Sequence, residues 1–157
     1  MEVPQVDPAQ FARSVADTSD ENLAEGMRSE YRGVVLEGIF QGMVEHFEPA
    51  KAQDVDAVIH WRIGGRADGG HDTYELAIKD GVCSYSKEPK LDPRLTFTVD
   101  GVDFLKLVTG NASGPRMFMF GKLKIEGDLL FAARVQGLFR IPEAGSNGAP
   151  GTAEPAA

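Results

Sequence analysis

The chain has 157 residues, enough for one domain that buries roughly two-thirds of its unfolded surface. Its composition, 42% hydrophobic and 25% charged, is that of an ordinary globular protein, and no apolar run approaches the ~20 residues a membrane span needs, so stable membrane insertion is not expected. A formal net charge of −8 argues against nucleic-acid binding, which needs a dense Lys/Arg patch, and on average repels an anionic membrane.

Met1 to Gln10 has neither a basic start nor an apolar core, and the chain ends Pro155-Ala156-Ala157. Neither secretion nor a C-terminal address is expected, and the cytosol is the default compartment. One cysteine, Cys83, permits no internal disulfide and no cysteine-based zinc site.

In chain order, Asp7-Pro8-Ala9-Gln10 reads as a helix start, with Phe11 and Val15 on one face. Thr18-Ser19-Asp20-Glu21 is a capping-box pattern that starts a second helix. From Asn22 to Phe47 apolar residues recur at helical spacing until Glu48-Pro49 stops them. Three glycines in that interval, Gly33, Gly38 and Gly42, each cost about 1 kcal/mol relative to Ala, so two helices with a break near Ser29 to Gly33 are expected. Gly38 and Gly42 share a face and suit close packing.

The period then changes to two. Val55, Ala57, Ile59, Trp61 and Ile63 form a half-buried strand, followed by the loop Gly64 to Gly70. Tyr74, Leu76 and Ile78 mark a second strand, Asp80-Gly81 a tight turn, Val82 to Ser86 a third strand and Arg94 to Val99 a fourth. The pattern predicts an antiparallel meander with one apolar face. Asp100 starts a helix that Gly110 ends, Ser113-Gly114-Pro115 starts a short one through Met119, and Leu123 to Glu126 is a brief strand. Asp128 caps a last helix bearing Leu130, Phe131, Val135, Leu138 and Phe139. Beyond Pro142 the chain lacks periodicity and is expected to be disordered. The fold class is α+β.

Catalytic chemistry is sparse. His46 and His60 read as surface residues. His71, between Asp68 and Asp72, offers a weak metal set, but hairpin loops favour Asp and Gly for backbone reasons, and no metal is assigned. The glycine loop joins two strands and lacks the Gly-Lys-Ser/Thr ending of a phosphate loop. Cys83 has no His or Lys near it in sequence and reads as structural. Lys87, Lys90 and Arg94 read as a solvated loop. No catalytic residue and no cofactor is assigned. What stands out is apolar density: Met117-Phe118-Met119-Phe120 is too much for one helix face, and Leu129-Leu130-Phe131 repeats the excess.

The run Met119-Phe120-Gly121-Lys122-Leu123-Lys124-Ile125-Glu126-Gly127-Asp128, with the amphipathic helix after it, resembles the sterol carrier protein type 2 family. Pro93 to Val99, Asp103-Phe104, Thr109 to Ala112 and the tryptophan-bearing strand are similar to other blocks of that family, from about Phe40 to Phe139. The resemblance implies a five-stranded, mostly antiparallel sheet covered by helices on one face, enclosing an apolar tunnel for a lipid-like small molecule, with no catalytic residues to transfer. The expected organisation is a helical extension over 1–28, in which this chain departs from the family's pattern, a lipid-binding domain over 29–141 and a tail over 142–157. Expected lining residues are Ile39, Met43, Phe104, Leu107, Met117, Phe118, Phe120, Leu130, Phe131 and Val135. Gly121 and Gly127 are expected at tight turns. A module that docks a protein partner through the apolar groove is the alternative. An enzyme using Cys83 or His71 is a third reading, and none of the three fixes an oligomeric state.

Overall fold

The computed structural model describes residues 8–135 and Leu138. Helix α1 (Pro8–Asp17) buries Ala12 and Val15; Asp7, its expected cap, lies outside the described residues. The second helix start falls one residue later than the capping-box pattern suggests. Ser19, not Thr18, caps α2 (Asp20–Met27), accepting from the Asn22 N–H at 3.2 Å. Thr18 Oγ1 instead donates to the Ser14 carbonyl at 2.6 Å and so belongs to the end of α1. The chain breaks over 28–31 and resumes as α3 (Arg32–Glu45), with Leu36 and Phe40 fully buried. Gly42 does not serve close packing: a Cβ placed there meets nothing within 4 Å.

A short 3₁₀ turn, Pro49–Ala52, leads into the sheet. Its strands are β1 (Ala57–Ile63), β2 (Asp72–Lys79), β3 (Val82–Ser86), β4 (Leu95–Val99) and β5 (Leu123–Gly127), in the order β3-β2-β1-β4-β5. Asp80 and Gly81 both take positive φ, 54° and 77°, as a two-residue hairpin turn between β2 and β3 requires. The fourth strand corrects the meander. It lies beside β1 and parallel to it, in register from Ile59↔Leu95 to Ile63↔Val99. Sequence alternation shows which residues of a strand face inward but not which strand lies next to it.

That arrangement sends residues 87–94 across the outer face of the sheet. Glu75, on the polar side of β2, is only 6% exposed because the crossing segment covers it. Its Oε2 accepts from His60 Nε2 at 2.9 Å and from the N–H groups of Lys90 and Leu91 at 3.1 and 2.8 Å. His60 is therefore half-buried and bonded rather than a free surface residue. Two basic side chains of the loop are likewise engaged. Lys87 pairs with Glu37, while Arg94 pairs with Asp128 and lies 4.2 Å over the Phe131 ring.

On the other face lie α3, α4 (Gly101–Val108), α5 (Gly114–Met119) and α6 (Leu129–Val135), with α1 and α2 packed on α4. Asp100, Ser113 and Asp128 cap α4, α5 and α6 as the sequence suggests. Val15 and Met27 join the same core as the sheet and α3 to α6. Gly127 is not at a simple turn: its φ is +110°, and an added Cβ would sit 2.4 Å from the Arg94 carbonyl oxygen. The close pairing of Leu95 with Gly127 excludes any side chain there.

Candidate functional site

Alternation puts Trp61 of β1, Tyr74 of β2, Tyr85 of β3 and Phe97 of β4 on the inner face of the sheet, where α3 and α4 lower Phe40 and Phe104 onto them. The six rings form a continuous chain of contacts. Tyr74 stacks on Phe40 at 4.3 Å between centroids, and Tyr85 lies 6.2 Å from Phe40. Phe40 reaches Phe104 at 5.6 Å, Phe104 meets Trp61 edge-on at 5.3 Å, and Trp61 meets Phe97 at 4.4 Å. Such offset and edge contacts add about 0.5–1.5 kcal/mol per pair beyond area burial. Burial pushes the Tyr74 hydroxyl well above the ordinary phenol range.

One polar atom in this layer has no hydrogen-bond partner. Among the described residues, Trp61 Nε1 is the buried side-chain donor left unpaired. Buried donors are almost always bonded, so an orphan in an apolar interior requires an acceptor from elsewhere or a weak contact with a ring face.

The expected lining residues divide into three sets. Phe104, Met117, Phe131 and Val135 are buried in the core. Ile39, Met43 and Leu107 are partly buried and packed against it. Phe118, Phe120 and Leu130 point largely into solvent, exposed by 48%, 67% and 87%. A six-residue helix such as α5 can turn only one narrow face inward, and Gly114 and Met117 take it. Trp61, Tyr74 and Phe97 on the strands and Phe40 on α3 belong to this layer but are not among the expected lining residues. Their period-two and i,i+4 spacing was the available signal.

The chemical alternatives find little support in the geometry. His71 Nε2 accepts from Arg62 at 3.0 Å, Asp68 is held by Arg66 and the Gly70 N–H, and Asp72 by Arg32 and Arg66. No group of three His, Cys, Asp or Glu suited to a metal occurs among the described residues. Cys83 is buried, and burial pushes its thiol up to about 12, far from a reactive thiolate. No helix among the described residues is long and apolar enough to cross a membrane.

A family model described as the SCP-2 sterol transfer family matches residues 40–140. A Yarrowia lipolytica protein named fatty acid-binding protein is 34% identical over 87 residues, which are 54% of this chain and 67% of that protein. The crystal structure of sterol carrier protein 2 like 2 from Aedes aegypti is similar with TM-score 0.54 and 20% identity, over 69% of this chain and 95% of that one. The inverting sec-alkylsulfatase Pisa1 from Pseudomonas sp. is similar with TM-score 0.59 and 15% identity, over 69% of this chain but 17% of the sulfatase. At these identities both structures speak for the fold alone.

Proposed function

The chain belongs to the SCP-2 sterol transfer family, and on that premise we propose that it binds and transfers a long-chain lipid, without catalysis and in the cytosol. The observation that carries this reading is the family match itself: residues 40–140 contain the whole sheet and every ring of the aromatic layer. The name of the Yarrowia relative favours a fatty-acyl ligand.

In this reading the ligand's chain lies among Phe104, Met117, Phe131 and Val135, with Ile39, Met43 and Leu107 giving way at the margin. Its polar end accepts a hydrogen bond from Trp61 Nε1. Burying ten methylenes at about 0.8 kcal/mol each supplies roughly 8 kcal/mol before ordering costs, which suits a micromolar, releasable complex.

Trp61 is the chain's sole tryptophan, so it reports on its own surroundings. Titrating delipidated protein with a long-chain fatty acid is expected to change its emission saturably at one ligand per chain. Protein purified from cells is expected to carry extractable lipid. No extractable lipid together with unchanged emission up to millimolar ligand refutes the reading.

A further inference from the structure

Helix α5 ends by displaying apolar side chains rather than hiding them. Phe118, Met119 and Phe120 are exposed by 48%, 77% and 67%. This is no frayed end. Gly121 takes φ +78°, its N–H donates to the Phe118 carbonyl at 3.2 Å, and the Lys122 N–H donates to the Met117 carbonyl at 2.8 Å. Those two bonds form a Schellman motif, which fixes the turn while the side chains stay outside.

The surrounding charge is unusual for this protein. The chain carries 24 acidic residues, yet none lies between Asp103 and Glu126. Arg116, Lys122 and Lys124 flank the three apolar residues and are exposed, and none of them is in an ion pair among the described residues. Asp103 is near enough to Lys122 to feel its charge but is itself half-buried. Beside the turn opens a cleft of about 350 Å³, lined in part by Gly121, Lys122, Lys124, His71, Thr98 and Asp100. The Asp100 carboxylate is taken up by capping the Val102 N–H.

We propose that the turn from Arg116 to Lys124 docks on an anionic phospholipid surface. Phe118, Met119 and Phe120 enter the boundary between headgroups and acyl chains, and Arg116, Lys122 and Lys124 meet the phosphates. The net charge of −8 does not forbid this, because charges more than about 8 Å away are screened at physiological salt. Two rival surfaces lack the combination. The apolar face of α1 is already buried at Ala12 and Val15 against the core. Leu129 and Leu130, about 16 Å away along β5, have Glu126 and Asp128 for neighbours, and the nearby Arg94 and Arg134 are already paired with Asp128 and Asp54. Docking and lipid uptake are measured separately, and the variants below leave the buried Met117 in place.

The test is co-sedimentation of the full chain with vesicles of equimolar phosphatidylserine and phosphatidylcholine, against phosphatidylcholine alone. Binding is expected to the first and weakly to the second. K122Q/K124Q is expected to lose roughly 30-fold in partitioning, from about 1 kcal/mol per basic residue at the surface. F118S/F120S is expected to lose at least tenfold, and Met119→Glu, at the most exposed of the three positions, provides the same test if the double variant folds poorly. All should keep the wild-type Trp61 response to fatty acid in vesicle-free solution. Hydrogen exchange with vesicles present should slow over residues 116–124. The proposal is overturned if wild-type protein ignores anionic vesicles or if the variants bind as it does. It is equally overturned if protection appears on α1 instead, if F118S/F120S abolishes fatty-acid uptake, or if that variant turns a vesicle-free dimer into a monomer.

Discussion

Arg32 offers the sharpest test of how the site is held. Its side chain is 8% exposed and its guanidinium donates in four directions. Nε binds Asp72 Oδ2 at 2.8 Å, Nη2 the Ile63 carbonyl at 2.7 Å, and Nη1 the carbonyls of Gly64 at 3.0 Å and Met27 at 3.2 Å. One residue thus joins the end of α2, the start of α3, the end of β1 and the start of β2. In Arg32→Met the aliphatic stem is kept, but the bonds to Ile63 and Met27, both buried, leave carbonyls without a donor. Each costs about 1–3 kcal/mol, and Asp72 loses a partner as well, so a loss of about 3–5 kcal/mol is expected. For a protein stable by about 5–15 kcal/mol, that is a drop of roughly 10 °C in Tm. Arg32→Lys should recover little, because an ammonium cannot reach the several acceptors at once. Asp72→Asn should cost less than Arg32→Met, since Asp72 is 35% exposed and keeps Arg66. Urea unfolding at constant m-value measures all three. If Arg32→Met falls within 1 kcal/mol of wild type, or if Asp72→Asn costs more, the carbonyl argument is wrong.

Burial alone would raise the Glu75 carboxyl, but the Leu91 N–H, His60 and the Lys90 N–H outweigh it and hold the group below the usual carboxylate value. Its contribution is therefore present above about pH 4.5 and is lost as pH falls through the lower folded value, so the stability gap between wild type and Glu75→Gln should narrow in acid; a gap that stays constant from neutral to strongly acid pH refutes this. Gly127→Ala is expected to cost about 2 kcal/mol or more by thermal unfolding, because φ +110° and the Arg94 carbonyl both oppose a Cβ; a neutral effect would mean the β4–β5 pairing yields easily. Cys83 should react with a disulfide reagent only at the rate of unfolding, and rapid labelling of the native protein would contradict its burial.

Element boundaries were largely legible because their signals are local. The caps at Asp100, Ser113 and Asp128, the Asp80-Gly81 turn and the break before α3 are each set by a few adjacent residues. What was hidden depends on contacts distant in sequence. Nothing local to Arg32, at the head of an apolar helix, announces the four acceptors that the end of α2, the end of β1 with Gly64 after it, and the start of β2 bring to it. Glu75 and His60 occupy the polar side of their strands, and nothing in the alternation says that residues 87–94 will pass over them. The parallel neighbour of β1 follows from that same crossing. For the site, alternation marked Trp61, Tyr74 and Phe97 as inward, but the ring chain exists only because α3 and α4 supply Phe40 and Phe104. The surplus at Met117 to Phe120 was visible, whereas its division between core and solvent depends on the length of α5.

That division joins the two proposals in one element. Met117 is 5% exposed and reaches the core, while Phe118, Met119 and Phe120, the next three residues, face out from a turn locked by its backbone. A helix of six residues is too short to bend along its length, so a force on its outer side chains moves Met117 as well. A membrane that engaged Phe118 to Phe120, as proposed, would therefore also pull on the core that Met117 belongs to.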